Sequence, residues 1–285
     1  MKKNDRIPSS RFQLSTYIAL LGATLLMVGC TNMGVDDPGP LTTRTLDLGG
    51  TYRSIEVSST FHVMMCDTVA APTLTIAERL IDKVDIHIEG RTLKIGMKNG
   101  HFKSIGKATV MLPRNKELRE IDISGASSFS SAQPVGQDKV SLDVSGASRY
   151  HGDISASVVD IELSGASSFS GSVDAGSLEL ELTGASEAVV SGTCSHVMEM
   201  DISGASRLNA KDLDVRKVQG ELAGASKADV TICDGMTVDI SGASHLTYST
   251  LVHKLFYLFP NLNLDKLLVL FSCFFLTPRE KSYLG

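Results

Sequence analysis

Seven carboxylates in this 285-residue chain stand three residues before a glycine: Asp122, Asp143, Glu162, Glu181, Asp201, Glu221 and Asp239. A second set, Glu120, Asp160, Glu179 and Glu199, lies two residues further upstream of four of the same glycines. Rows of carboxylates support two kinds of chemistry. Their oxygens suit a hard cation such as Ca²⁺, and two of them at a fixed separation serve as acid and base or nucleophile in glycoside hydrolysis. The plainer reading is a solvated face, its repulsion screened by salt and by Arg149, Arg207 and Lys227, each of which directly follows a Gly-Ala-Ser triplet. The plainer reading is preferred, because carboxylate pairs recur along the whole series and none is marked as special.

The spacing says what must hold these groups. The triplets begin at Gly125, Gly146, Gly165, Gly184, Gly204, Gly224 and Gly242, at intervals of 21, 19, 19, 20, 20 and 18 residues. Self-similarity at such a period marks a solenoid or related repeat architecture. Two residues before each glycine stand Ile123, Val144, Leu163, Leu182, Ile202, Leu222 and Ile240, all aliphatic. Four before come Ile121, Leu142, Ile161, Leu180, Met200 and Val238, with Gly220 the exception. Apolar–acidic–apolar is the period-2 alternation of a strand with one buried face. The glycine then permits a bend that a Cβ would hinder, and the serine closing each triplet can bond to local backbone or to its neighbour one repeat away.

A second short strand follows the triplet, as in RLNAKDL (207–213) and KADVTIC (227–233), and turn signals such as Asp234–Gly235 close the repeat. About 20 residues without helical periodicity fit one coil of a parallel β-helix, so the expected fold is all-β. Seven coils at ~4.8 Å give a stack roughly 30 Å long. A propeller blade of four strands needs about twice as many residues. Upstream, residues 42–118 alternate more loosely and read as earlier coils or an N-terminal cap, with a separate small β-domain as the alternative.

The ends differ from the middle. Lys2, Lys3, Arg6 and Arg11 precede the apolar run YIALLGATLLMVG, which marks residues 1–29 as a secretory signal. MVGC resembles a bacterial lipobox with Cys30 as the lipidated residue, and residues 30–41 read as a flexible tether. The β-helix then spans 42–249, with the repeats over 122–246. From residue 250 the repeat vanishes, and five of the ten phenylalanines fall in the last 36 residues. The run LLVLFSCFFL (267–276) is too short to span a bilayer. A helical cap and a frame-shifted tail are the two readings of 250–285, and the second is preferred.

Composition excludes several classes. A net charge of −5 with scattered Lys and Arg lacks the basic face of a nucleic-acid binder. Cys194 and Cys233 sit in coils two apart, ~9–10 Å by strand spacing, beyond disulfide reach, and read as small buried hydrophobes. The seven histidines show no ligand spacing, and no Ser-His-Asp set, P-loop or zinc motif is present. The absence of tryptophan removes the best sugar-stacking side chain.

YRSIEVSSTFHV, LTIAERLIDKVDIHIEGRTLKIGMKNG and the SGAS series together resemble the bacterial family called putative auto-transporter adhesin, head GIN domain, from about Arg44 to Tyr248. The resemblance implies a right-handed, single-stranded β-helix in secreted or lipid-anchored proteins of Bacteroidetes-type bacteria, and it brings no catalytic residues. The expectation is a non-enzymatic envelope module of adhesin type, anchored in the outer membrane by lipid, facing either the surface or the periplasm. It would present ladders of Asp, Glu and Ser to a glycan or a protein and need no cofactor beyond, at most, Ca²⁺. Self-association through regular edges is allowed. The alternatives are a polysaccharide-acting β-helix enzyme and a periplasm-facing protein-binding scaffold.

Overall fold

The computed structural model describes residues 39–98 and 105–250, together with a two-residue strand at Tyr283–Leu284. The signal segment, Cys30, most of the tether and nearly all of the atypical tail lie outside the described residues. The chain divides into residues 1–37 and 38–285, and the second unit carries every described strand.

Strands account for nearly all regular structure. The first seven are β1 (Leu41–Thr45), β2 (Ser54–Val57), β3 (His62–Cys66), β4 (Thr73–Ala77), β5 (Val84–Glu89), β6 (Thr92–Met97) and β7 (Thr109–Pro113), with one 3-10 turn at Glu78–Lys83. The repeat follows as β8 (Glu120–Ile123), β9 (Ser128–Ser131), β10 (Lys139–Val144), β11 (Arg149–His151), β12 (Ile154–Leu163), β13 (Ser168–Leu182), β14 (Glu187–Ile202), β15 (Arg207–Leu222), β16 (Lys227–Ile240) and β17 (His245–Thr250), and β18 is Tyr283–Leu284. From β8 to β17 the strands stack in parallel as a β-solenoid of about seven turns, with bridges about 20 residues apart, and β18 lies antiparallel beside β17. The register places repeat on repeat: Asp122 pairs with Asp143, then Glu162, Glu181, Asp201, Glu221 and Asp239.

The hydrogen-bond ladder does not break at the turns. From the second triplet on, the amide of each triplet alanine donates to the glycine carbonyl one coil back, as from Ala166 to Gly146 and from Ala185 to Gly165, both at 2.7 Å. This contact requires glycine over glycine. A Cβ on Gly184 would lie 2.6 Å from the Gly165 carbonyl oxygen, and its φ of +78° is itself unfavourable for other residues. The serine after each alanine turns inward and is buried at all seven positions. Ser186 Oγ donates to Ser206 Oγ at 3.2 Å, and Ser226 Oγ to Ser244 Oγ at 3.2 Å. The expectation that these serines form an outward ladder is therefore corrected. Turning at the Gly-Ala bend points the next side chain into the core, where only a small group fits beside its copies.

The apolar columns fill the interior. Ile123, Val144, Leu163, Leu182, Ile202 and Leu222 are at most 1% exposed. Beyond the triplet, Phe129, Tyr150 and Phe169 stack with centroids 5.8 and 5.5 Å apart and planes within 6°. The buried Tyr150 hydroxyl has no hydrogen-bond partner among the described residues, and desolvation raises its pKa far above the usual value. Gly220, the exception in its column, lies so close to Met200 that a Cβ would meet the Met200 carbonyl oxygen.

Residues 41–113 continue the same sheet, but not in chain order. The β2–β3 coil stacks directly on β8–β9, and the later β6–β7 coil lies outside it. Antiparallel β5 and β4 close these outermost edges, and β1 lies beside β4. The unequal repeat intervals are local bulges. Gly176 faces both Ser195 and His196 across the ladder, which lengthens that coil to 20 residues. The next coil loses this bulge and gains one at Ala210–Lys211, and the last drops three residues there and regains one.

Two substitution contrasts check this account by thermal or urea denaturation. Gly184→Ala is expected to cost about 2 kcal/mol or more, from left-handed strain plus the clash. Gly235→Ala, with nothing within 4 Å of the added methyl, should stay within about 0.5 kcal/mol of the parent. Tyr150→Phe should be neutral or stabilising by about 1 kcal/mol, since it removes a buried hydroxyl that lacks a partner.

Candidate functional site

All seven acidic-column residues point outward on one sheet face, and the second column runs beside them, with Asp160 against Glu179 and Glu179 against Glu199. The column is longer than the sequence reading gave. Glu56 on β2 lies over Asp122, and Lys94 on β6 lies over Glu56. Lys94 Nζ reaches Glu56 at 3.6 Å and Glu89 at 2.7 Å, so one end of the carboxylate row finishes on a cation. Glu56 carried a legible signal, since SIEV repeats the apolar–acidic–apolar pattern of EIDI. Lys94 did not, because its coil is displaced in chain order.

Desolvation, then the neighbouring Asp143 and Glu56, hold the Asp122 carboxyl above its ordinary pKa. Glu162 is raised by desolvation and then by Asp143, Glu181 and Asp160. Glu179 is raised first by the charge of Asp160. The cations that relieve the columns are Lys94 and Lys139, the latter 3.3 Å from Asp160. Lys227 instead meets Asp229 at 3.5 Å, and among the described residues no ion pair joins Arg149 or Arg207 to the row. Beyond the turn, a side chain faces a different side of the solenoid. Also among the described residues, no three His, Cys, Asp or Glu side chains group as a metal site requires.

Among the described residues the surface carries hollows at two places of interest. The smaller, about 200 Å³, sits where the acidic row meets its cationic end, lined by Glu56, Asp85, His87, Lys94 and Asp122 among others. The larger, about 660 Å³, runs across several coils at the Ser195–His196 bulge. There Asp174 Oδ1 accepts a hydrogen bond from Thr193 Oγ1 at 2.9 Å, and His196 Nδ1 donates to the Gly176 carbonyl at 3.2 Å. A carbonyl only accepts, so Nδ1 carries the hydrogen and cannot act as base toward Ser195 Oγ, 3.1 Å away. In that tautomer the adjacent Ser-His pair is not set as a nucleophile and its base. The sequence signal for this groove was the step in repeat interval from 19 to 20 residues.

Cys194 is buried and donates to the Val197 carbonyl at 3.2 Å, whereas Cys233 is half-buried. In register Ile232, not Cys233, continues the row of Cys194 and Val215. Both thiols are free, and desolvation raises their pKa values.

The family described as putative auto-transporter adhesin, head GIN domain, matches residues 51–250. No curated protein matches the chain. Among solved structures, a putative adhesin from Parabacteroides distasonis ATCC 8503 superposes with a TM-score of 0.68 at 20% identity, over 74% of this chain and 90% of that one. Another from Parabacteroides merdae ATCC 43184 gives 0.63 at 19%, over 74% and 88%. A third, from Bacteroides fragilis NCTC 9343, gives 0.55 at 13%, over 74% and 89%. At these identities the likeness is one of fold.

The raised carboxyls carry a pH consequence. A carboxyl whose pKa rises on folding binds more protons in the native state, so its stabilising contribution is full below about pH 4 and fades as pH climbs through the raised value. Glu179→Gln is therefore expected to stabilise the solenoid by about 0.5 kcal/mol at pH 7, by relieving like-charge contact, and to change nothing near pH 3.5. Equal gains at both pH values would show that charge is not the cause.

Proposed function

We propose a function from the premise that this chain belongs to the putative auto-transporter adhesin, head GIN domain family. It is a non-enzymatic binding module of the cell envelope, held to the outer membrane through a lipid on Cys30 and meeting its partner outside the cell with the outward surface of the solenoid. The observation that carries this reading is the near-constant coil of 18–21 residues over the repeat. Coils of one length build no long loops, and hence no walled cleft around a carboxylate pair.

A glycan-cleaving enzyme needs two carboxyls with different roles at a defined separation. Here Asp160 and Glu179 interact most directly, yet they sit on the open sheet face, away from both hollows. The same surface suits binding, since its side chains are fixed by the strands beneath and lose little freedom when a partner docks. Three solved structures of similar fold are named putative adhesins.

Protease added to intact cells should remove the full-length protein while a periplasmic control survives. Survival of the chain until the outer membrane is broken would sink the surface reading and leave an internal scaffold. In the same cells Cys30→Ser should move the protein from the membrane to the soluble fraction.

A further inference from the structure

Resting on the binding-module reading, we infer that the 660 Å³ groove at the Ser195–His196 bulge is a subsite for a neutral oligosaccharide laid along the solenoid.

The lining selects this chemistry by exclusion. An apolar ligand would strip water from Gln137, Ser155, Asp174, Thr193, Ser195 and His196 and satisfy none of their polar groups. An anionic ligand would face Asp174 without a lining cation. Lys139, two residues beyond Gln137, is held by Asp160 at 3.3 Å, and Arg216, opposite the bulge, by Asp234 at 2.7 Å. A cation would find only one carboxylate here, whose Oδ1 is already engaged by Thr193. What remains is a ligand rich in uncharged hydroxyls.

The donors and acceptors match such a ligand. Asp174 keeps acceptor capacity after its bond to Thr193. His196 spends Nδ1–H on the Gly176 carbonyl, which leaves Nε2 on the far edge of the ring as an acceptor. Both receive hydroxyl protons. Ser155 and Gln137 supply donors in return, and Thr193, its one hydroxyl hydrogen given to Asp174, adds acceptor lone pairs. Ser155, Asp174 and Thr193 are consecutive in register, so polar groups recur every ~4.8 Å along the groove, a repeat that suits a chain of sugar rings.

The bulge gives the groove its address. Bulges re-aim side chains and are common beside functional sites. This one opposes two residues to Gly176, where a Cβ would lie 2.6 Å from the Ser157 carbonyl oxygen and 3.5 Å from His196 Nδ1. Glycine is thus required by the Ser157 carbonyl beneath it, and the imidazole lies over this bare stretch of backbone. The next coil sets Arg216 alone opposite Ser195 and His196, and where the last coil regains a bulge it carries Cys233 and Asp234 instead, so among the described residues the Ser-His pair is particular to this coil.

The test uses the full-length chain in mild detergent on an array of neutral oligosaccharides (glucan, mannan, galactan, xylan and N-acetylglucosamine oligomers) beside uronate, sulfated and sialylated ones. Binding to a neutral subset is expected. Asp174→Asn and His196→Ala, both at exposed positions, should each weaken it tenfold or more with unchanged melting temperature, and Ser155→Arg should abolish it. Lys116→Ala, remote from the groove, is the control. Glycan binding that survives these variants but falls with Glu162→Gln or Glu181→Gln would overturn the groove and keep the module. Preference for anionic sugars would likewise overturn it. No binding to any sugar overturns the inference too, and the module then stands or falls on the surface-protease result.

Discussion

One hydrogen bond governs this molecule: from the second triplet on, the alanine amide donating to the glycine carbonyl of the coil before. At 2.7–2.8 Å along the series it continues the β-ladder through a bend where parallel strands would otherwise part. It brings successive backbones so close that only glycine fits, and it fixes the register with no freedom to slip. A shift of one residue would set a Cβ against a carbonyl and turn every apolar side chain outward. Serine at the next position follows from the same bend, because the chain points it into a core already crowded by its own copies.

Strict register has two consequences of opposite sign. Like stacks on like, so branched aliphatics pack on aliphatics, and three aromatic rings stack nearly parallel. The same rule sets carboxylate on carboxylate outside, where desolvation and then repulsion lift Asp122 and Glu162, and repulsion first lifts Glu179, above their ordinary pKa values. The arrangement persists because that face is open to water, which screens charges that would be prohibitive inside. It ends where the N-terminal strands reverse direction: Lys94 terminates the row, and the polar side chains Asp85, His87 and Glu89 occupy the closing strand β5. A long edge of uniform strands invites pairing with other chains, and charge on the outermost strand opposes it.

The repeat was legible because its period is enforced by that backbone contact, and residue types recur wherever their environment recurs. SGAS could be aligned by eye, and its apolar–acidic–apolar approach told which face was buried. The orientation of the serine was not legible, since a small polar residue after a turn fits either face. The displaced order of the β2–β3 and β6–β7 coils was also hidden. Nothing in SIEV or TLKIGM says which lies against EIDI, and a parallel strand can pair equally well with a sequence-distant neighbour. The groove escaped notice for a different reason: its side chains belong to no common pattern, and the only trace was a change of one residue in spacing.

That trace bears on how a repeat can recognise anything in particular. Equivalent rungs offer equivalent contacts, so a partner bound to the carboxylate row can slide by one coil at almost no change in energy. Such a surface gives avidity without position. Position requires a break in the repeat, and a break is tolerable only where the ladder recovers its register within a few residues. The bulge at Ser195–His196 satisfies that condition, because pairing resumes at Val197 and the next glycine still stacks on the last. The solenoid thus supplies rigidity through its exact copies and individuality through its one-residue departures, and a distinct function is to be sought in the departures.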